Sequence, residues 1–358
     1  MACASYAGAL GWSSPGNSIG SANFVPDYYG HELASRSNVI FVSVNYRLGP
    51  FGWFTHPALR EGAQDPADRS GNYGTLDILQ ALRWIGENIE NFGGDTERII
   101  ITGESSGGRN ILSMVASPLA KGLFSHAMVQ SGSRGRRGVA DGDALTDRIL
   151  TELAPGSMTA KEARAYLYGK SAKEIMGALT PGTTGMTGVP AIFPDGFVIP
   201  KVGFQVFETG EYANKVPIIF GNNKEELKLF LSFSRDLSWK SDLYQAVAKY
   251  GSQRWKADAV DSIARAMSLH LDQPPVYAYR FDWGAPNENG DSPLPGNWGA
   301  RLGSFHSLEI PFFLGTDTID GLCKRNCLTI STNSPSGSWT EMGGSISKVA
   351  AASSADAV

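Results

Sequence analysis

Cysteine is scarce in this chain, with three in 358 residues, which rules out a disulfide framework. Cys323 and Cys327 lie four apart with no histidine nearby, so a four-ligand structural zinc site is not expected and the thiols read as free. Charge of one sign is also lacking. Formal net charge is −4, which gives no electrostatic reason to bind nucleic acid or an anionic membrane. The cluster Arg134, Arg136 and Arg137 sits among glycines and reads as a solvated loop. No apolar run is long enough to span a bilayer. Residues 1–6 carry neither a charged n-region nor a sustained apolar stretch, so no signal peptide is expected and the expected location is cytoplasmic. With 42% hydrophobic and 18% charged residues, what remains is an ordinary globular chain long enough for a large core.

Forty-two glycines are many, and two groups of them frame a serine. Ile99-Ile100-Ile101-Thr102 runs into Gly103-Glu104-Ser105-Ser106-Gly107-Gly108, and Arg109-Asn110-Ile111-Leu112 follows. The order is buried strand, G-x-S-x-G turn, helix start. A serine alcohol is a poor nucleophile until a tight turn projects it towards a base and oxyanion donors, and the flanking glycines keep that turn clear of strand and helix. Gly16-Asn17-Ser18-Ile19-Gly20 matches the same pentapeptide with no strand before it, so the bare match carries little. Ser105 is the candidate nucleophile.

The surrounding pattern is α/β. Val39–Val44 is a continuous β-branched and aromatic run, expected to be a strand buried on both faces of a parallel sheet. Ile78, Leu82, Ile85, Ile89 and Phe92 form one helical stripe, stopped by Gly93-Gly94. Arg98–Thr102, Ala127–Val129, Pro217–Phe220 and Val276–Phe281 read as further strands. Alternation of this kind predicts an open, mostly parallel sheet with helices on both faces and the site at the carboxyl ends of the strands. Residues 141–190 and 232–272 are helix-like and polar, and are expected to cap that edge. From Lys324 onward the chain is rich in Ser, Thr, Ala, Gly and Asn, and reads as poorly ordered.

A nucleophilic serine needs a base, and the base needs a carboxylate to orient it. On such a sheet the chain order is Ser, then Asp or Glu, then His, which removes His31 and His56. His126 precedes a strand at the wrong edge, and His270 ends an amphipathic helix as a surface or cap residue. His306, in Leu302-Gly303-Ser304-Phe305-His306, is the remaining candidate. The acid should emerge after Pro217–Phe220, at Glu225 or Glu226; position alone does not separate them, and either could be a solvated helix N-terminus.

Taken together, the chain resembles the type B carboxylesterases, the family that also contains the cholinesterases. The resemblance is carried by Asn45–Gly52, Asn72–Asp77, Phe92–Asp95, the Gly103–Gly108 turn, Gln130-Ser131-Gly132, Asn223-Lys224-Glu225-Glu226, and His306 with Ile310-Pro311-Phe312, over roughly residues 19–322. It implies the α/β-hydrolase fold, with Ser105 as nucleophile, His306 as base and Glu226 as triad acid. Gly103, Glu104 and Gly107 would build the nucleophile elbow, and Gly16 with the Ser106 N–H would form the oxyanion hole. Arg47 and Asp77 match a structural ion pair of the family. The partner implied is a small-molecule ester, with no metal and no cofactor. Two features depart from the family. Pro15 stands where its oxyanion loop has a glycine, and proline has no N–H to donate. Residues 1–18 and 323–358 do not follow its pattern, so the expected organisation is an atypical segment 1–18, a hydrolase domain 19–322 and a low-complexity tail 323–358. The expected function is serine ester hydrolysis on small to medium uncharged esters. A binding module weakened by its altered oxyanion loop is the alternative.

Overall fold

The computed structural model describes residues 2–7, 28–134, 138–154, 156–179, 192–234, 236–316 and 345–348, with the backbone alone for 2–7 and 345–348. Seven strands form one sheet in the order β2-β1-β3-β4-β5-β6-β7. They are β1 (Ala2–Ala7), β2 (Val39–Ser43), β3 (Ile99–Glu104), β4 (His126–Gln130), β5 (Ile218–Asn223), β6 (Val276–Phe281) and β7 (Ser345–Lys348). All pairings are parallel except β6 with β7.

Alternation along the strands divides the core in two. Ile218 and Phe220 of β5 join the large cluster with Ile101, Val129, Leu82 and Ile85, whereas Ile219 between them meets Met128, Tyr279, Phe281 and Leu308 on the other face. Side chains that are two residues apart share a face, so a sheet with apolar residues at consecutive positions must be covered twice. Helix α1 (Tyr73–Asn88) buries Ile78, Leu79, Leu82 and Ile85 in the large cluster. Helix α2 (Ser106–Ala116) follows β3 directly and is buried along nearly its whole length.

Four details differ from the sequence expectations. The Val39–Ser43 strand is only half-buried, because among the described residues it pairs on one side alone, with β1. Phe92 does not continue the α1 stripe. The chain tightens into a 3₁₀ turn at Ile89–Phe92, which ends at Gly93 with φ +80°. Phe92 is left 63% exposed beside the Trp84 ring. Residues 2–7, which carry no β-branched run, nevertheless form β1 between β2 and β3. Ser345–Lys348, within the stretch read as poorly ordered, pair with β6; the rest of 317–358, including Cys323 and Cys327, lies outside the described residues.

Where capping helices were expected there are α3 (Val139–Leu153), α4 (Ala160–Tyr168) and α5 (Ala172–Gly177), then α6 (Leu227–Leu231), α7 (Asp242–Lys256) and α8 (Ser262–Ser268). A π-helical turn, Ala257–Asp261, joins α7 to α8. Helices α4 and α5 each begin with a reciprocal capping box, Thr159 with Glu162 and Ser171 with Glu174. No helix among the described residues is long and apolar enough to cross a membrane.

Candidate active site

Strand β3 ends at Glu104 and α2 begins at Ser106, so one residue, Ser105, makes the whole turn. Its backbone lies at φ +57°, ψ −114°, a left-handed φ that costs about 1–3 kcal/mol in a residue with a side chain. Its N–H donates to Gln130 O at 2.8 Å, which holds the turn against β4. Crowding demands glycine at Gly108, where a Cβ would lie 2.8 Å from Gly132 Cα and 2.9 Å from Gln130 O. Ser106 opens α2, so its N–H is among those that no helix carbonyl receives.

Of the two glutamates after β5, Glu226 is the one brought to His306. His306 Nδ1 lies 2.5 Å from Glu226 Oε2, and both side chains are fully buried. The other carboxylate oxygen, Oε1, accepts from Ser131 Oγ and from the Asn223 N–H, each at 2.7 Å. With Nδ1 directed at Glu226, Nε2 is the ring nitrogen free to act as a base. Rings cover the imidazole on the outside: Trp255 at 5.0 Å and Phe230 at 5.1 Å between centroids, stacked on each other at 5.8 Å. Trp255 is fixed by donating its Nε1–H to Ser131 O.

Two further carboxylates belong to this cluster, and sequence reasoning gave neither a role beyond the elbow. Glu104 Oε1 lies 3.1 Å from His306 Nε2 and accepts from Ser307 Oγ at 2.8 Å. Glu309 accepts from Asn223 Nδ2 at 2.5 Å. Glu104 thus faces Nε2 as a neighbouring carboxylate, without a hydrogen bond between them. Burial pushes the Glu104 carboxyl well up from its ordinary range. For His306 burial acts downward, but the carboxylates of Glu104 and Glu226 outweigh it and the imidazole is pushed up to about 9. Glu309 is pushed up to about 7, by burial first and then by Glu226.

The other expected residues fall as follows. Gly103 is buried at the end of β3 and Gly107 in the first turn of α2. Gly16 and Pro15 lie outside the described residues, as do Ser18, Arg136 and Arg137. Arg47 and Asp77 are joined by two side-chain hydrogen bonds of 2.8 and 2.9 Å, although 53% of the Arg47 side chain is exposed. His126 is exposed at the amino end of β4, and His270 Nε2 meets Phe207 O. His56 pairs with Asp147. Among the described residues no group of three or more His, Cys, Asp or Glu has the arrangement of a metal site.

Beside the cluster lies a cavity of about 670 Å³, within the range of small-molecule sites. Ile192, Pro194, Ile199, Val202, Phe204 and Trp255 give it an apolar wall. Trp255 thus faces the cavity on one side and His306 on the other.

A parallel sheet, a left-handed serine between strand and helix, and a buried Glu–His pair at the strand ends define an α/β-hydrolase. The chain belongs to the carboxylesterase family, whose sequence model matches residues 14–262. It is 28% identical to the para-nitrobenzyl esterase of Bacillus subtilis (strain 168), over 87% of this chain and 64% of that protein. The fumonisin B1 esterase of Sphingopyxis macrogoltabida is 32% identical over 61% of this chain and 39% of its own, and the human cocaine esterase 33% over 56% and 34%. A solved structure of a PNB esterase superposes with a TM-score of 0.67 at 26% identity, covering 90% of this chain and 68% of the other. The chain therefore spans less than two thirds of the length of these curated relatives.

Proposed function

We propose that the protein hydrolyses small to medium uncharged carboxylic esters through a Ser105–His306–Glu226 triad. The observation that carries this reading is the 2.5 Å contact between His306 Nδ1 and Glu226, both fully buried; Ser105, at a positive φ, directly follows Glu104, which meets the same imidazole. Ser105 Oγ attacks the ester carbonyl while His306 Nε2 takes its proton. The developing oxyanion turns to the Ser106 N–H, with Gly16 as the second donor. His306 then protonates the leaving alcohol, and water, deprotonated by the same nitrogen, cleaves the acyl-enzyme. Glu226 orients the ring and balances the imidazolium.

The preference for uncharged esters rests on the cavity. Its apolar wall is broken by Arg134 and Arg254, but Arg134 is paired with Glu208 and Ser262, and Arg254 faces Asp258. With those charges matched, the surface left to a substrate is mainly hydrocarbon.

Treatment with a fluorophosphonate, alongside turnover of p-nitrophenyl esters from acetate to decanoate, tests the reading. The protein should label on Ser105 and turn over, and Ser105→Ala should do neither. Full turnover by Ser105→Ala, or a protein that never labels, overturns it; the second result favours the binding module that Pro15 suggests.

A further inference from the structure

Glu225, the residue next to the triad acid, is tied to the loop that carries His306. Its Oε2 accepts the Ser304 N–H at 3.0 Å, and its own N–H donates to Ser304 O at 3.0 Å. Its Oε1 lies 2.7 Å from Nζ of Lys228, whose side chain is only 3% exposed. Lys228 Nζ in turn donates to Ala300 O at 3.0 Å. From α7, Tyr244 donates its hydroxyl to Arg301 O at 2.6 Å. Residues 300–304 are therefore gripped at three successive points just ahead of His306. Gly303 completes the fit: at φ +55°, a Cβ there would stand 1.7 Å from Glu225 Oε2.

We propose that Glu225 is a positioning residue for the reaction, rather than a solvated acid at a helix start. Glu225 and Glu226 are consecutive, so one turn sets both the carboxylate that receives Nδ1 and the anchor of the loop that delivers it. Lys228 and Glu225 form an ion pair at 2.7 Å, and a buried ammonium would be costly without that partner. The inference rests on the reading of His306 as the base.

The test compares steady-state constants of the parent, Glu225→Gln and Glu225→Gln/Lys228→Met on p-nitrophenyl butyrate, with folding checked by denaturant unfolding. Displacing a catalytic group by a fraction of an ångström acts on the transition state, so Glu225→Gln should lower kcat about ten- to hundredfold and leave KM within about twofold. The double variant should recover part of the loss, because no unpaired ammonium remains. Gly303→Ala is the second route, since its methyl group displaces the Glu225 carboxylate without removing a charge; it should show the same split between kcat and KM. A folded Glu225→Gln with the parent's kcat overturns the proposal, and if that variant does not fold, a folded Gly303→Ala with the parent's kcat does so. Should neither fold, the residue sustains the fold and not the loop, and the proposal falls. A parent that neither labels nor turns over would instead overturn the ester-hydrolase reading itself.

Discussion

Ser131 donates its hydroxyl to Glu226 at 2.7 Å, on the carboxylate oxygen that does not meet His306. Glu226, the proposed triad acid, is therefore held from both sides, and its orientation is fixed before a substrate arrives. Glu226→Gln should lower kcat by about 10⁴, since the imidazolium loses its counter-charge and the ring its tautomer. Ser131→Ala removes one hydrogen bond to a charged group and should cost roughly tenfold in kcat. Measured kcat values for the two folded variants check both figures. Equal losses would mean that Ser131 is as essential as the acid it supports.

The imidazole works as a base only when neutral, so activity should rise with pH through its pKa. That pKa is pushed up to about 9 by the carboxylates facing the ring, Glu104 and Glu226 first and Glu309 after them. Phe230 and Trp255 contribute no charge from the other side. Glu104→Gln removes one negative charge 3.1 Å from Nε2, so the imidazolium is less favoured and the acid limb of kcat/KM should move to lower pH. A limb that stays in place would show that Glu104 is neutral throughout the working range.

Arg47 fastens the end of β2 to α1 through Asp77, with its backbone N–H also donating to Asp77 Oδ2 at 2.8 Å. A fully buried pair broken on one side would cost about 3–5 kcal/mol. Here the guanidinium is half in water, so Asp77→Asn should cost about 1–2 kcal/mol, read as a lower urea midpoint at unchanged m-value. A midpoint equal to the parent's would mean that solvent already screens the pair.

Trp255 separates His306 from the apolar cavity, and a smaller residue would join the two spaces. Each methylene placed in an apolar pocket is worth about 1–3 kcal/mol, so Trp255→Ala should raise the ratio of kcat/KM for octanoate over acetate at least about tenfold. An unchanged ratio would place the acyl chain elsewhere.

What the sequence made legible was local. Ser105 could be read because strand, turn and helix lie within a dozen residues, each with its own pattern. His306 was reached through chain order, and the adjacent acids were separated by the family's motif, not by their position. Glu104 and Glu309 were illegible as site residues, because a glutamate in sequence looks solvated until distant segments close over it. Strand β1 was hidden for a related reason. A parallel strand flanked on both sides gains its place from its neighbours' hydrogen bonds, and Ala-Cys-Ala-Ser-Tyr-Ala offers no apolar run to announce it. The edge position of β2 was equally non-local, since only the complete strand order reveals which strand has a single partner.

The place of β1 has a consequence for the order in which the molecule is assembled. Cys3 lies opposite Ile40 on one side and Ile99 on the other, so β1 must wait for a segment far along the chain before both its sides are paired. Parallel pairings between remote segments form slowly, because the intervening chain must first be confined. Until β3 emerges and docks, one side of β1 remains an open row of peptide groups, able to template another chain. A nascent molecule in which β3 has not yet docked is thus open to self-association along β1, far along the chain from Glu226 and His306.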